Sequence, residues 1–123
     1  MWSRPPPPTS AFRASSTLQQ RQVESRRVLK AHPHHVPVLV EPVDDRAPAI
    51  DKKKFLVPRD FTAAQLAFAV RRRMRMGATQ ALFLHCDGCL LTGETVLGGL
   101  CDAHRNEDGF LYVHYALENA FGG

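Results

Sequence analysis

Apolar residues recur along this chain with two different spacings, and the change between them outlines its elements. Leu66, Val70 and Met74 stand at i, i+4 and i+8, a single helical stripe that must lie on an apolar surface. The start of that helix is marked by Thr62 and Gln65 at capping-box spacing, with Phe61 and Leu66 placed as a hydrophobic staple. Arg71, Arg72, Arg73 and Arg75 crowd its last turn, where cations suit the helix dipole, and Gly77 is placed to end it. Strand-like runs occupy 36–42, 52–57 (stopped by Pro58), 81–86 and 110–115, the third closing on the turn pair Asp87-Gly88. Leu90, Leu91, Val96, Leu97 and Leu100 anchor a loop and short helix reaching Cys101 to His104. Upstream, 17–31 is helix-compatible, but Leu18, Val23 and Val28 make a thin stripe that needs packing against something else. The order strand, strand, helix, strand, short helix, strand is an α+β pattern.

Charge refines this outline. Residues 1–35 carry +5, 36–51 carry −3, 52–76 carry +7 and 77–123 carry −5, so the net +4 conceals two basic segments alternating with two acidic ones. Such a surface is either simply solvated or gathers its basic segments into one face for an acidic peptide or anionic surface. Three cysteines, with no secretory signal before them, suggest free thiols in a reducing compartment. No apolar run approaches the length of a membrane span.

Candidate chemistry is sparse. Cys86-Asp87-Gly88-Cys89 has C-x-x-C spacing, but zinc would need Cys101 and His104 as a second pair, and a redox motif would sit at a helix start; two small apolar residues flanking a β-turn is the preferred reading. His32, His34 and His35 around Pro33 lack a nearby carboxylate or thiolate and read as surface residues. No orienting acid or oxyanion feature accompanies Cys101 and His104, so neither a catalytic centre nor a metal or cofactor site is assigned. Basic composition admits nucleic acid, yet no aromatic platform supports it and none is expected as a partner. The Pro5 to Pro8 run makes 1–11 a disordered tail. Residues 1–35, rich in Arg and Ser, also have the composition of a transit peptide.

From about Phe12 to the C-terminus the chain resembles the autophagy ubiquitin-like modifiers, the family of microtubule-associated protein light chain and GABA-receptor-associated protein. The densest segments are His35-Val36-Pro37-Val38-Leu39-Val40-Glu41, the run from Asp51 to Pro58, and Glu107-Asp108-Gly109-Phe110-Leu111-Tyr112. That resemblance, which outweighs the transit-peptide reading, implies an α+β ubiquitin-like β-grasp with an N-terminal helical extension. Its divisions are a tail at 1–11, a helical subdomain at 12–35, a core at 36–116 and a flexible conjugation tail at 117–123. The first and last strands would be central and the 52–57 strand would form an edge.

The resemblance also implies a function, which the residues alone do not decide. An edge strand can receive an extended peptide, although lysines on an edge ordinarily discourage aggregation. In the family the edge docks peptides carrying an aromatic residue, two intervening residues and an aliphatic one. By position, Glu24, Val28, Pro37, Leu39, Lys54, Leu56 and Phe110 would form the aromatic pocket. Phe55, Val57, Pro58, Phe61, Leu66 and Ala69 would form the aliphatic one, and Lys52, Lys54 and Arg71 would hold acidic groups. Replacing Phe55 and Leu56 by alanine is expected to abolish docking and spare the fold.

The glycine after Phe121 is the conjugated one in the family, so Gly122 would take the lipid and a cysteine protease would cleave between Gly122 and Gly123; the double glycine also leaves open conjugation through Gly123 without processing. Activating and conjugating enzymes would then carry the acyl group to phosphatidylethanolamine, placing a cytoplasmic, non-enzymatic protein on the autophagosome membrane; the alternative is a modifier joined to a protein lysine. Five departures mark a divergent member, one of them His35 where the family usually has Arg. Ala69 stands where Leu is common, Leu91-Thr92 replaces a proline pair, His85 occupies an ordinarily aromatic strand position, and Arg13-Ala14-Ser15-Ser16 replaces charges usual in the first helix.

Overall fold

The structure is a computed structural model and describes residues 10–44, 46–74, 76–77 and 80–119. Its frame is a five-stranded sheet built from β1 (His35–Pro42), β2 (Lys54–Pro58), β3 (Gln80–Cys86), β4 (Cys89–Leu90) and β5 (Leu111–Asn119), in the order β2-β1-β5-β3-β4. β1 and β5 run parallel and all other pairs are antiparallel. Four helices accompany it among the described residues: α1 (Ala11–Ala14), α2 (Leu18–Ala31), α3 (Ala63–Met74) and α4 (Leu97–His104).

Strand alternation divides the side chains between two layers. Val36, Val38 and Val40 of β1 join Phe55, Val57, Leu84, Leu111, Val113 and Tyr115 in the larger core, against Leu66 and Val70 of α3 and Leu97 of α4. Each wholly buried Leu or Val here stabilises the fold by roughly 1.5–3 kcal/mol relative to exposure. Met74 and Phe61 pack on the same cluster, so the expected stripe and staple are both present. The capping box forms as well: Gln65 N donates to Thr62 Oγ1 at 3.3 Å and Thr62 N to Gln65 Oε1 at 2.9 Å.

The opposite layer is small. Leu39, Phe110 and Tyr112 are buried there, with Phe12 of α1 packed on them. α2 does not attach through its apolar residues, since Val23 is 46% exposed; the side chains it buries are Arg21 and Ser25. Arg21 Nε meets Asp108 Oδ2 at 2.9 Å, and Ser25 Oγ donates to the Asp108 carbonyl at 2.5 Å. A thin apolar stripe is thus replaced by a buried polar dock. Thr17 also caps α2 through a second capping box, with Gln20.

Several boundaries differ from the sequence expectation. α1 begins at Ala11 with Ser10 as its cap, inside the expected tail, and is a single turn. β2 starts at Lys54 rather than at residue 52 and takes in Pro58, which lacks an N–H but faces the open side of an edge strand where none is required. β4 is an additional two-residue strand, produced by the Asp87-Gly88 turn, where both residues have positive φ (50° and 79°) and fold the chain straight back. β5 continues four residues beyond Tyr115 because 80–85 of β3 pairs along its full length. Residues 1–9, together with Phe121, Gly122 and Gly123, lie outside the described residues.

Candidate functional site at the sheet edge

β2 ends the sheet, and one hydrogen bond shows which of its backbone groups face outward. Val40 N donates to Lys53 O at 2.8 Å, so 53, 55 and 57 turn their peptide groups toward β1. Lys54 and Leu56 therefore present N–H and C=O to the open edge. Their side chains, exposed in alternation with buried Phe55 and Val57, stand on the α2 side of the sheet.

Most of the expected aromatic-pocket residues converge. Pro37 and Leu56 are register partners, as are Leu39 and Lys54, and Phe110 shares the small core with Leu39. Glu24 reaches over from α2 to accept from Lys54 Nζ at 2.5 Å, and Val28 lies one turn further on, half-buried. Phe12, which the residue-by-residue reading left out, completes the group. Its ring meets Phe110 edge-on at 5.4 Å between centroids, while Lys54 Nζ lies 5.0 Å above it. An aromatic just before the 13–16 polar run was its only sequence signal. A cavity of about 220 Å3 opens beside this cluster, between α1 and α2, lined by Phe12, Ser16, Gln20, Arg21, Val23, Glu24 and Arg27.

The second set lies between β2 and α3. Phe55 and Val57 are 6% and 5% exposed and Leu66 is wholly enclosed, so these three form the floor of any recess. Phe61 and Ala69 are half-buried beside them and Pro58 is exposed. Substituting Phe55 therefore opens a core cavity, contrary to the expectation that a Phe55 and Leu56 double variant spares the fold.

Of the acid-holding candidates, Lys52 is exposed with Nζ 4.9 Å from the Phe55 ring centre. Lys54 is held by Glu24. Arg71 donates to the carbonyls of Gln80 (2.8 Å) and Gly77 (3.4 Å), which ties α3 to the start of β3. Arg73 pairs with Asp51 at 3.1 Å.

The cysteines do not assemble a centre. Burial pushes the Cys86 thiol up to about 12 and raises that of Cys101, while Cys89 is exposed. His104 Nδ1 contacts Asp87 Oδ2 at 2.7 Å, joining α4 to the β3–β4 turn. Among the described residues no three His, Cys, Asp or Glu side chains gather as metal ligands, and no helix is long and apolar enough to cross a membrane.

A sheet with parallel β1 and β5 crossed by α3, fronted by two N-terminal helices, is the ubiquitin-like α+β fold with a helical extension. The profile of the family described as "Autophagy protein Atg8 ubiquitin like" matches residues 20–122. Autophagy-related protein 8b of Arabidopsis thaliana is 40% identical over 115 residues, covering 93% of this chain and 94% of that protein. Autophagy-related protein 8 of Schizosaccharomyces pombe is 37% identical over 114 residues, covering 92% and 94%. The crystal structure of Trypanosoma brucei ATG8 superposes with a TM-score of 0.86 at 32% identity, covering 94% of this chain and 100% of that one. The chain belongs to the Atg8 family of ubiquitin-like autophagy proteins.

Proposed function

We propose that this protein is a non-catalytic modifier that recruits peptides to a membrane. Its β2 edge receives peptides with an aromatic-x-x-aliphatic pattern while its C-terminal glycine is joined to phosphatidylethanolamine. The observation that carries the reading is the open β2 edge, where the peptide groups of Lys54 and Leu56 face outward between two apolar recesses. An extended peptide would add as a further strand, its aromatic side chain over Pro37, Leu39, Leu56 and Phe110 and its aliphatic one over Phe61 and Ala69. Family membership and the terminal Phe121-Gly122-Gly123 support the covalent part.

In that part a cysteine protease hydrolyses the Gly122–Gly123 bond and frees the Gly122 carboxylate. The activating enzyme adenylates it with release of pyrophosphate, and the acyl group passes to a cysteine thiol of that enzyme and then of the conjugating enzyme. The headgroup amine of phosphatidylethanolamine finally displaces the thiol to give an amide. This places the protein in the cytoplasm and, once lipidated, on the autophagosomal membrane. Presence of α1 and α2 favours lipid over a protein lysine as acceptor.

Incubation with the protease, both enzymes, ATP and phosphatidylethanolamine liposomes tests it by intact mass. The expected product has lost one glycine and gained one lipid; an unchanged chain under conditions that lipidate a related Atg8 protein would refute the assignment.

A further inference from the structure

One row of polar side chains on the outer sheet face takes no part in peptide docking. Glu41 of β1 is in register with His114 of β5, and His114 with His85 of β3. Adjacent strands lie about 4.8 Å apart, so the three side chains stand side by side on the face opposite the large core. Glu41 is 4% exposed, and its carboxylate holds the start of α1: Ser10 Oγ donates to Oε1 at 2.7 Å and Phe12 N to Oε2 at 3.3 Å. Buried Nδ1 of His85 has no hydrogen-bond partner. The row is thus a carboxylate fully occupied by α1 beside two histidines it does not bond.

We propose that this row is a pH-sensitive latch in which protonation of His114 withdraws Glu41 from Ser10 and Phe12 and releases α1 from the sheet. The charged groups facing His114 come from every neighbouring element: Glu41 on β1 and Asp87 beyond β3 attract a proton to it, while Arg13 on α1 and His85 on β3 repel one. Burial is the largest influence and holds the imidazole below its ordinary range, and Arg13 of the docked α1 pushes the same way. Docking of α1 brings the Arg13 charge toward His114 and so disfavours the proton, and the proton disfavours docking by the same factor. Glu41, the register neighbour of His114, is an anionic acceptor for the new cation, and its turn toward His114 breaks its bonds to Ser10 and Phe12.

Release has a consequence for the edge. Phe12 leaves Phe110 and Lys54, uncovering the recess assigned above to the peptide's aromatic residue; this consequence alone rests on the proposed docking function. The latch itself is tested without any peptide.

In the full-length 15N-labelled protein, the amide signals of Phe12 and Ala14 and the ring of His114 are followed from pH 7.5 to 5. Both amides should shift with one midpoint below about 6.5, the ordinary value for histidine, and it should coincide with that of the His114 ring. For each unit by which the His114 value differs between docked and released states, the ratio of docked to released protein falls on the order of tenfold. His114→Ala should leave the Phe12 signal flat over the same range. A flat Phe12 signal in the unaltered protein, a midpoint apart from that of His114, or an unchanged titration in His114→Ala would each overturn the latch. Should that variant not fold, the comparison of midpoints within the unaltered protein decides the matter alone.

Discussion

Arg21 and Asp108 stand 87 positions apart in the chain, and the guanidinium Nε of one lies 2.9 Å from a carboxylate oxygen of the other with both side chains buried. Asp108 is fully used: it also accepts from Tyr112 Oη at 2.5 Å and from Phe110 N at 2.9 Å, while Arg21 Nη1 donates to the carbonyls of Ser16 and Arg13. The pair joins α2, the α1–α2 turn and the start of β5, so the helical extension is held to the sheet chiefly by polar bonds. Asp108→Ala leaves a buried guanidinium without its counter-charge and is expected to cost about 3–5 kcal/mol in urea unfolding. Tyr112→Phe removes one donor and should cost about 1 kcal/mol. Equal losses in the two variants would mean that charge is not what holds the dock.

How far this arrangement could be read from the residues depends on the range of the signal. The stripe and cap of α3, the Asp87-Gly88 turn and the β1 strand are local patterns, and each appears where the pattern puts it. The edge position of β2 came from resemblance, because Lys52 to Lys54 fit an aggregation-resistant edge and a binding edge equally well. Three things were not legible. Val23 looked like a core residue and is exposed because α2 is docked by Arg21 and Ser25; an ion pair across 87 positions leaves no trace in periodicity. Phe12 meets Phe110 and Lys54, residues expected in the aromatic pocket, only through tertiary folding. Arg71 was expected from the resemblance to hold an acid, and its bonds to the carbonyls of Gly77, past the end of α3, and of Gln80, at the start of β3, left no local trace.

Gly109 is the closest approach between loop and helix. Its φ is +92°, and a Cβ there would lie 2.4 Å from Ser25 Oγ, the atom that bonds the Asp108 carbonyl. Gly109→Ala therefore meets both left-handed strain and a clash, and a loss above about 1 kcal/mol in thermal or urea unfolding is expected. Ser25→Gly loses the bond to the Asp108 carbonyl and loosens α2, but because it also relieves the clash it should cost less in the Gly109→Ala background than in the unaltered protein.

The three thiols differ in reach. Cys89 is exposed while Cys86 and Cys101 are buried, so an aromatic disulfide reagent at neutral pH should label one thiol per folded chain and all three in denaturant. The pH dependence follows from the raised Cys86 and Cys101 values. Below about 9 both thiols are protonated folded or unfolded; above it the unfolded chain ionises while Cys86, at about 12, does not. Stability is thus fully present below pH 9 and declines as pH rises toward 12. Fast labelling of two thiols in the native state would contradict the burial.

A test of the proposed docking edge must separate lost contact from lost fold, and neighbouring residues of β2 do so. Leu56 is 38% exposed on the face toward α2, whereas Phe55 is 6% exposed in the large core. Phe55→Ala removes packing and should cost about 3–5 kcal/mol of stability, so weakened binding in that variant says little about the edge. Leu56→Ala changes an accessible side chain, leaves the backbone donors in place and should shift stability by less than about 0.5 kcal/mol. If the recess over Pro37 and Phe110 receives an aromatic side chain, Leu56→Ala should weaken an aromatic-x-x-aliphatic peptide at least tenfold by calorimetry. Lys54→Met adds a control on charge. Its bond to Glu24 joins side chains 53% and 35% exposed, so the fold should hardly respond. Affinity for a peptide with acids before its aromatic residue should fall and lose part of its salt dependence. Full affinity in Leu56→Ala, with its melting temperature unchanged, would place peptide binding elsewhere on the molecule.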